Sequence, residues 1–342
     1  RRFAAVQMDS VELVRELSRS EGFDVEAHGE GELEVAHQPR HVAGLEAESA
    51  RMRDIYGLDC RIYRKEELRE AGMVMAGGEA ALYVPHGFGL HPMKYVRGLA
   101  EAAVKRGAKV HGDSPVEAWQ KADGWHILST PGGTLRAKTV IVATNGYTPE
   151  GLHPGMDGRV LPALTNIITT RPLTEDERAE QGWTTSIPAF DSRMLLHYFR
   201  LLPDGRFLLG SRGGLNAAPD SAVGKEVDMR KRLARMFPAW WDIEVSHFWR
   251  GFVCLAADLV PHIARLPDDK SVIHALAYHG NGVAMGTWSG RAAAALAVQA
   301  APDDEIVPAV AGQPLPRFPL PGLRTLYLRG AYAAYWLKDE AL

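Results

Sequence analysis

Cysteine is scarce: only Cys60 and Cys254 occur in 342 residues, too few and too far apart for a disulfide framework or a thiolate metal site. No metal is expected, and the scarcity suits a reducing, cytoplasmic compartment. No block of lysine and arginine stands out and the formal net charge is −3, which argues against nucleic acid as a partner. The longest run of small apolar residues, Ala292 to Ala301, is too short and alanine-rich to cross a bilayer, so no membrane role is expected. No secretory segment stands at the start and no internal repeat is visible.

What is present is glycine in an unusual place. The stretch "AYHGNGVAMGTWSGRAAAALA" sets Gly280, Gly282, Gly286 and Gly290 at the opening of a helix. Each glycine inside a helix costs ~1 kcal/mol relative to alanine. A strand, a glycine turn and a helix start together offer unpaired N–H groups and the positive end of a helix dipole. Missing Cβ atoms would let a planar or phosphate-bearing ligand approach the backbone; tight helix-on-sheet packing is the competing explanation.

Periodicity places this helix in an α/β context. Ser10 is expected to cap a first helix that stops at Gly22. Glu32 to His37 alternates like a strand; Arg40 to Tyr56 and Lys65 to Gly72 read as helices. Pro92 opens a helix with Val96, Leu99, Ala100, Ala103 and Val104 on one face, closed by Gly107. "AKVHG" reads as a short strand. A three-stranded meander turning at Asp123-Gly124 and Pro131-Gly132-Gly133 comes next, then "TVIVAT", expected to be buried on both faces. From Leu161 to Gly251 the chain is strand-rich, with a hairpin turn at Pro203-Asp204-Gly205.

The ordered stretches "GELEVAHQPRH", "ALYVPHGFGLHPMKYVRGLAEAAVKRGAKV", "TVIVATNGYTP", "YFRLLPDGRFLLGS", "DLVPHIARL" and "AYHGNGVAMGTWSGR" resemble the FAD-dependent oxidoreductases of the D-amino-acid oxidase superfamily. Within it, they are most similar to the gamma-glutamylputrescine oxidoreductase branch. The resemblance implies an α/β (mixed α+β) fold: a Rossmann-like FAD-binding domain over 1–22, 92–162 and 272–300. It also implies an inserted antiparallel-sheet substrate domain over 23–91 and 163–271, with a tail over 301–342.

The resemblance also implies roles. Gly280, Asn281, Gly282, Val283 and Ala284 would meet the flavin ring, Val116 the adenine, and Ala143, Thr144 and Gly146 the diphosphate–ribose side. His279, Asn281 and Trp249 stand nearest the catalytic position, and His197, Tyr198, Arg200 and Trp249 are candidates to line the substrate cavity. Amino-acid-oxidising relatives carry an arginine two residues past the glycine of a Trp-x-Gly motif, to clamp a carboxylate. Here Trp249-Arg250-Gly251 leads to Val253, so a primary or secondary amine of polyamine-derivative type is expected over an α-amino acid of the glycine or sarcosine kind. Gly251 stands where covalent relatives place cysteine, so FAD is expected to be noncovalent.

One expected motif is missing. No strand–GxGxxG–helix with a following glutamate occurs to grip the dinucleotide diphosphate. The chain is therefore expected to lack an N-terminal segment carrying it, and to hold FAD weakly or not at all. A homo-oligomer, or a completing chain around a non-catalytic subunit, is the alternative expectation.

Overall fold

A computed structural model describes residues 1–214, 217–218 and 220–341. Leu215, Asn216 and Pro219 of the expected substrate domain, and Leu342 of the tail, lie outside the described residues. The chain forms two compact units: 1–24, 92–163 and 252–327, and 25–91, 164–251 and 328–342.

The first unit is built on a three-stranded sheet ordered His262–Arg265, Val272–Leu276, Val140–Val142. The first pair is antiparallel and the second parallel. Val272–Leu276 is buried throughout, with Ile273 and Ala275 against Val6, Leu13, Met285, Trp288 and Leu296. These side chains come from two packed helices, Arg2–Ser20 and Ala284–Ala297. Val272 and Leu276 pack on Val142, Met156, Cys254 and Leu315.

The first helix does not start at Ser10, because that hydroxyl donates to Gln7 O at 2.7 Å from inside the helix. "TVIVAT" is not buried on both faces. Only Val140–Val142 pairs, with a neighbour on one side, and Ile141 is 42% exposed. "AKVHG" forms no strand, and its Val110 is 62% exposed. The Pro92–Lys105 helix forms as expected but turns a different face inward. Tyr95 and Ala102 are buried, Gly98 lies under the Phe23 ring, and Val96 and Val104 are exposed. The meander forms from Ala118–Ala122, Trp125–Thr130 and Gly133–Ala137.

The second unit carries an eight-stranded sheet. Its order is Val245–Leu255, Leu161–Pro172, Arg206–Arg212, His197–Leu201, Ala189–Asp191, Glu32–Ala36, Ala80–Val84, Arg61–Arg64. The sheet is not purely antiparallel, since Glu32–Ala36 runs parallel to Ala189–Asp191. One face buries an aromatic cluster of Trp183, Phe199, Phe207, Phe237 and Trp240 against Met229 and Leu233 of the Ser221–Met236 helix. Each such side chain contributes about 1.5–3 kcal/mol on burial. This packing fixes the alternation of His197–Leu201, so that Tyr198 and Arg200 project from the opposite face. Lys65 to Gly72 contains only a 3-10 turn, Lys65–Glu67.

Residues 252–271 fall in the first unit because His262–Arg265 pairs along Val272–Leu276. The tail divides. Val307 and Ala311 pack in the first unit, whereas the Asp339 carboxylate accepts the N–H groups of Met194 and Leu195 at 2.8 and 2.9 Å in the second. No helix among the described residues is long and apolar enough to cross a membrane.

Candidate active site

The parallel strands Val140–Val142 and Val272–Leu276 end side by side, and one side chain ties their exits together. Asn145 Oδ1 accepts the Ala277 N–H at 3.0 Å. Both residues adopt left-handed backbone, at φ 45° and 67°, as do His279 at 54° and Gly280 at 114°. Asn145 is thus a positioning residue that sequence reading missed; the Asn-Gly pair after an apolar strand was its only signal.

The turn then becomes a helix with an open tip. Asn281 N–H donates to Tyr278 O at 2.9 Å, and the first helical bonds run from Met285 to Asn281 O and from Gly286 to Gly282 O, at 3.1 and 3.2 Å. The N–H groups of Gly282, Val283 and Ala284 find no acceptor among the described residues, and no side chain caps the helix. A Cβ at Gly282 would meet only the Tyr278 ring at 3.8 Å, and at Gly290 nothing within 4 Å. Packing therefore does not demand bare backbone at these two positions. Only Gly280, at its positive φ, is required by conformation. Free donors beside open space suit an electron-rich ring or an anion.

The other expected cofactor residues are placed unevenly. Gly146 is buried where a Cβ would lie 2.8 Å from Phe252 Cβ, so close packing already accounts for that glycine. Ala143 and Thr144 are exposed, and the Thr144 hydroxyl pairs with Thr148 at 2.7 Å. Val116 is half-buried ahead of the meander's first strand. Asn281 is exposed beside the helix tip. His279 is braced, with its N–H on Cys254 O at 3.4 Å and Nε2 against Val260 O at 3.3 Å. Cys254 is 1% exposed, and burial pushes its thiol up to about 12.

The substrate candidates lie on the sheet of the second unit. His197 does not line a cavity: it is buried, with Nδ1 on Asp191 at 2.7 Å and Nε2 taking Arg232 Nη1 at 2.7 Å. Burial alone would raise the Asp191 carboxyl, but hydrogen bonds from His197 and the nearby Arg193 hold it below its ordinary value. That network occupies both ring nitrogens. Tyr198 hydrogen-bonds Thr165 Oγ1 at 2.9 Å, its ring seated on Gly210 where a Cβ would come within 2.0 Å. Arg200 donates to Leu90 O at 3.0 Å, and Trp249 is 44% exposed. Arg250 is committed to Ser221 Oγ at 2.9 Å and to the carbonyls of Ala217 and Ala218, so it does not replace the arginine absent at Val253.

An uncapped helix tip after a parallel strand offers fixed main-chain donors to an anion or an electron-rich ring. The chain belongs to the DAO family, FAD dependent oxidoreductases, whose profile matches residues 1–296. It is 31% identical over 207 residues to a probable oxidoreductase OrdL of Haemophilus influenzae, covering 59% of this chain and 46% of that one. It is 28% identical to the gamma-glutamylputrescine oxidoreductase of Escherichia coli, over 99% of this chain and 78% of the relative. The chain thus spans about half the length of the first of these relatives. Among solved structures, glycine oxidase from Geobacillus kaustophilus superposes with a TM-score of 0.72 at 20% identity, over 86% of this chain and 78% of that one.

The helix tip fits the flavin ring of FAD, because its three free N–H groups and the open face at Gly282 are what an electron-rich edge requires. The diphosphate grip has no counterpart in the sequence.

Proposed function

We propose that this chain serves FAD-dependent oxidation of a primary or secondary amine of polyamine-derivative type. The observation that carries the reading is the uncapped tip at Gly282, Val283 and Ala284, with three free donors and no protein atom crowding Gly282. FAD, when bound, supplies the acceptor for the hydride that leaves the amine carbon. The tip's N–H groups are fixed before the reaction and would favour negative charge on a flavin ring held there. Gly280 and the Asn145–Ala277 bond hold those donors in place.

Val253 offers no charge to clamp an α-carboxylate at the usual place, which favours an amine over the glycine- or sarcosine-like alternative. The buried Cys254 thiol, with little thiolate at neutral pH, supports noncovalent flavin. A partner-completed subunit is the second reading, favoured by the single neighbour of the Val140–Val142 strand among the described residues. Visible absorbance decides between them. Flavin bands that bleach anaerobically on adding amines support the enzyme, whereas a protein that ignores both FAD and amines contradicts it.

A further inference from the structure

Each free N–H of the helix tip shares a peptide plane with a carbonyl that points down the helix. The carbonyls of Asn281 and Gly282, behind the N–H groups of Gly282 and Val283, accept the main-chain N–H groups of Met285 and Gly286. The Val283 carbonyl, behind the Ala284 N–H, accepts a side chain as well. It takes the Thr287 N–H at 3.2 Å and the Thr287 hydroxyl at 2.8 Å. That hydroxyl stands 3.0 Å from the hydroxyl of Tyr95, which sits on the Pro92–Lys105 helix of the same unit.

Donor arithmetic fixes the direction of this chain. A threonine hydroxyl has one hydrogen, and a carbonyl can only accept. The hydrogen between the two side chains is therefore the phenol's, so Tyr95 donates to Thr287 and Thr287 donates to Val283 O. Tyr95 is 2% exposed, and burial raises its pKa, so the phenol keeps the proton it donates. Phe23 packs against its ring with centroids 6.2 Å apart, and Phe23 in turn covers Gly98, where a Cβ would come within 2.5 Å. A threonine that bonds back to the i−4 carbonyl slightly destabilises a helix, so helix stability gives no reason for it here. Pinning two helices together explains why the hydroxyls meet, but not why the chain ends on the carbonyl behind a free donor.

We propose that Thr287 and Tyr95 are positioning residues for the flavin: through the Val283–Ala284 peptide they fix and strengthen the Ala284 N–H that meets the ring. Hydrogen bonds in series polarise one another, and an amide whose carbonyl accepts two hydrogens has a more strongly donating N–H. The inference rests on the reading of the tip as the flavin site and deepens it. A ring that has taken up a hydride carries more negative charge than the oxidised one, so this donor favours the reduced form.

The test measures the flavin reduction potential of the loaded protein beside Thr287→Val, Thr287→Ser and Tyr95→Phe. Thr287→Val keeps the shape and loses the hydroxyl. It should lower the preference for reduced flavin about threefold to tenfold, a fall of about 15–30 mV for a two-electron couple. Thr287→Ser should recover most of that loss. Tyr95→Phe should act in the same direction by less, and should add nothing once Thr287 is valine. A second measurement needs no flavin: the carbonyl-carbon resonance of Val283 should move upfield in Tyr95→Phe, on a different helix, as well as in Thr287→Val. That resonance decides if Thr287→Val fails to fold or flavin uptake is too weak for a potential; unmoved in Tyr95→Phe, it overturns the relay. An unchanged potential in Thr287→Val and Tyr95→Phe, or a loss that serine does not recover, also overturns it, and leaves the tip as the flavin site where Gly282→Val still weakens flavin binding. Flavin binding indifferent to Gly282→Val, with the potential unchanged in the other variants, would instead sink the reading of the tip and the relay with it.

Discussion

Asn145 and Ala277 stand 132 positions apart, yet the amide oxygen of one accepts the main-chain N–H of the other at 3.0 Å. This single bond ties two strand exits together below the glycine-rich helix. Asn145→Ala orphans the fully buried Ala277 N–H and puts alanine at φ 45°, so it should cost about 1–3 kcal/mol in urea unfolding. Asn145→Asp keeps an acceptor and tolerates that backbone, and should stay much closer to the unaltered chain. Equal stability of the two variants would remove the bond from the account.

The Asp191 network predicts a larger loss. Asp191→Ala removes the buried carboxylate that pairs with His197 Nδ1 and Arg193 Nη1, and should lower unfolding free energy by about 3–5 kcal/mol. A change below about 1 kcal/mol would show that the network is not structural.

His274 predicts the acid limb of stability. It is fully buried, both ring nitrogens lack partners, and burial, aided by His262 and Arg159, pushes its pKa down to about 4. The folded pKa lies below the unfolded value near 6.5, so the unfolded chain binds the extra proton between them. Stability is therefore complete above pH 6.5 and falls as pH drops toward 4, by about 3 kcal/mol in all. His274→Leu should flatten that limb in denaturation curves taken across this window; an unchanged slope would contradict the assignment.

The thiols should separate by reactivity. Cys254, with its pKa near 12 and 1% exposure, should resist iodoacetamide in the native protein while half-buried Cys60 reacts, as peptide mass analysis would read. Acid precipitation of the flavin-loaded protein should release all of its flavin. Colour retained on a Cys254 peptide would contradict the noncovalent reading.

Local chemistry made much of this fold legible. Pro92 and Gly107 bracketed their helix, the Asp123-Gly124 turn set the meander, and the glycine stretch marked the helix tip. Relationships set by distant partners were not. Ser10 looks like a cap, but its hydroxyl bonds back to Gln7 within a continuous helix. "TVIVAT" has the composition of a central strand, and nothing in its residues reveals that it gains only one neighbour. His197 looked like a cavity residue because its partners Asp191 and Arg232 lie on other elements. The orphaned Nε of Arg200 was invisible for the same reason: only the folded chain leaves it buried without an acceptor among the described residues.

The most direct measurement is a flavin titration of Gly282→Val beside the unaltered chain, followed by fluorescence quenching and paired with thermal melts. Gly282 has no positive φ, and a Cβ there meets only the Tyr278 ring at 3.8 Å, so the melting temperature should hold. Flavin affinity should fall at least about tenfold, because the new side chain fills the space the ring needs. Undiminished flavin affinity with an intact melt would mean that no ring approaches this helix tip, and the oxidoreductase site would have to lie elsewhere.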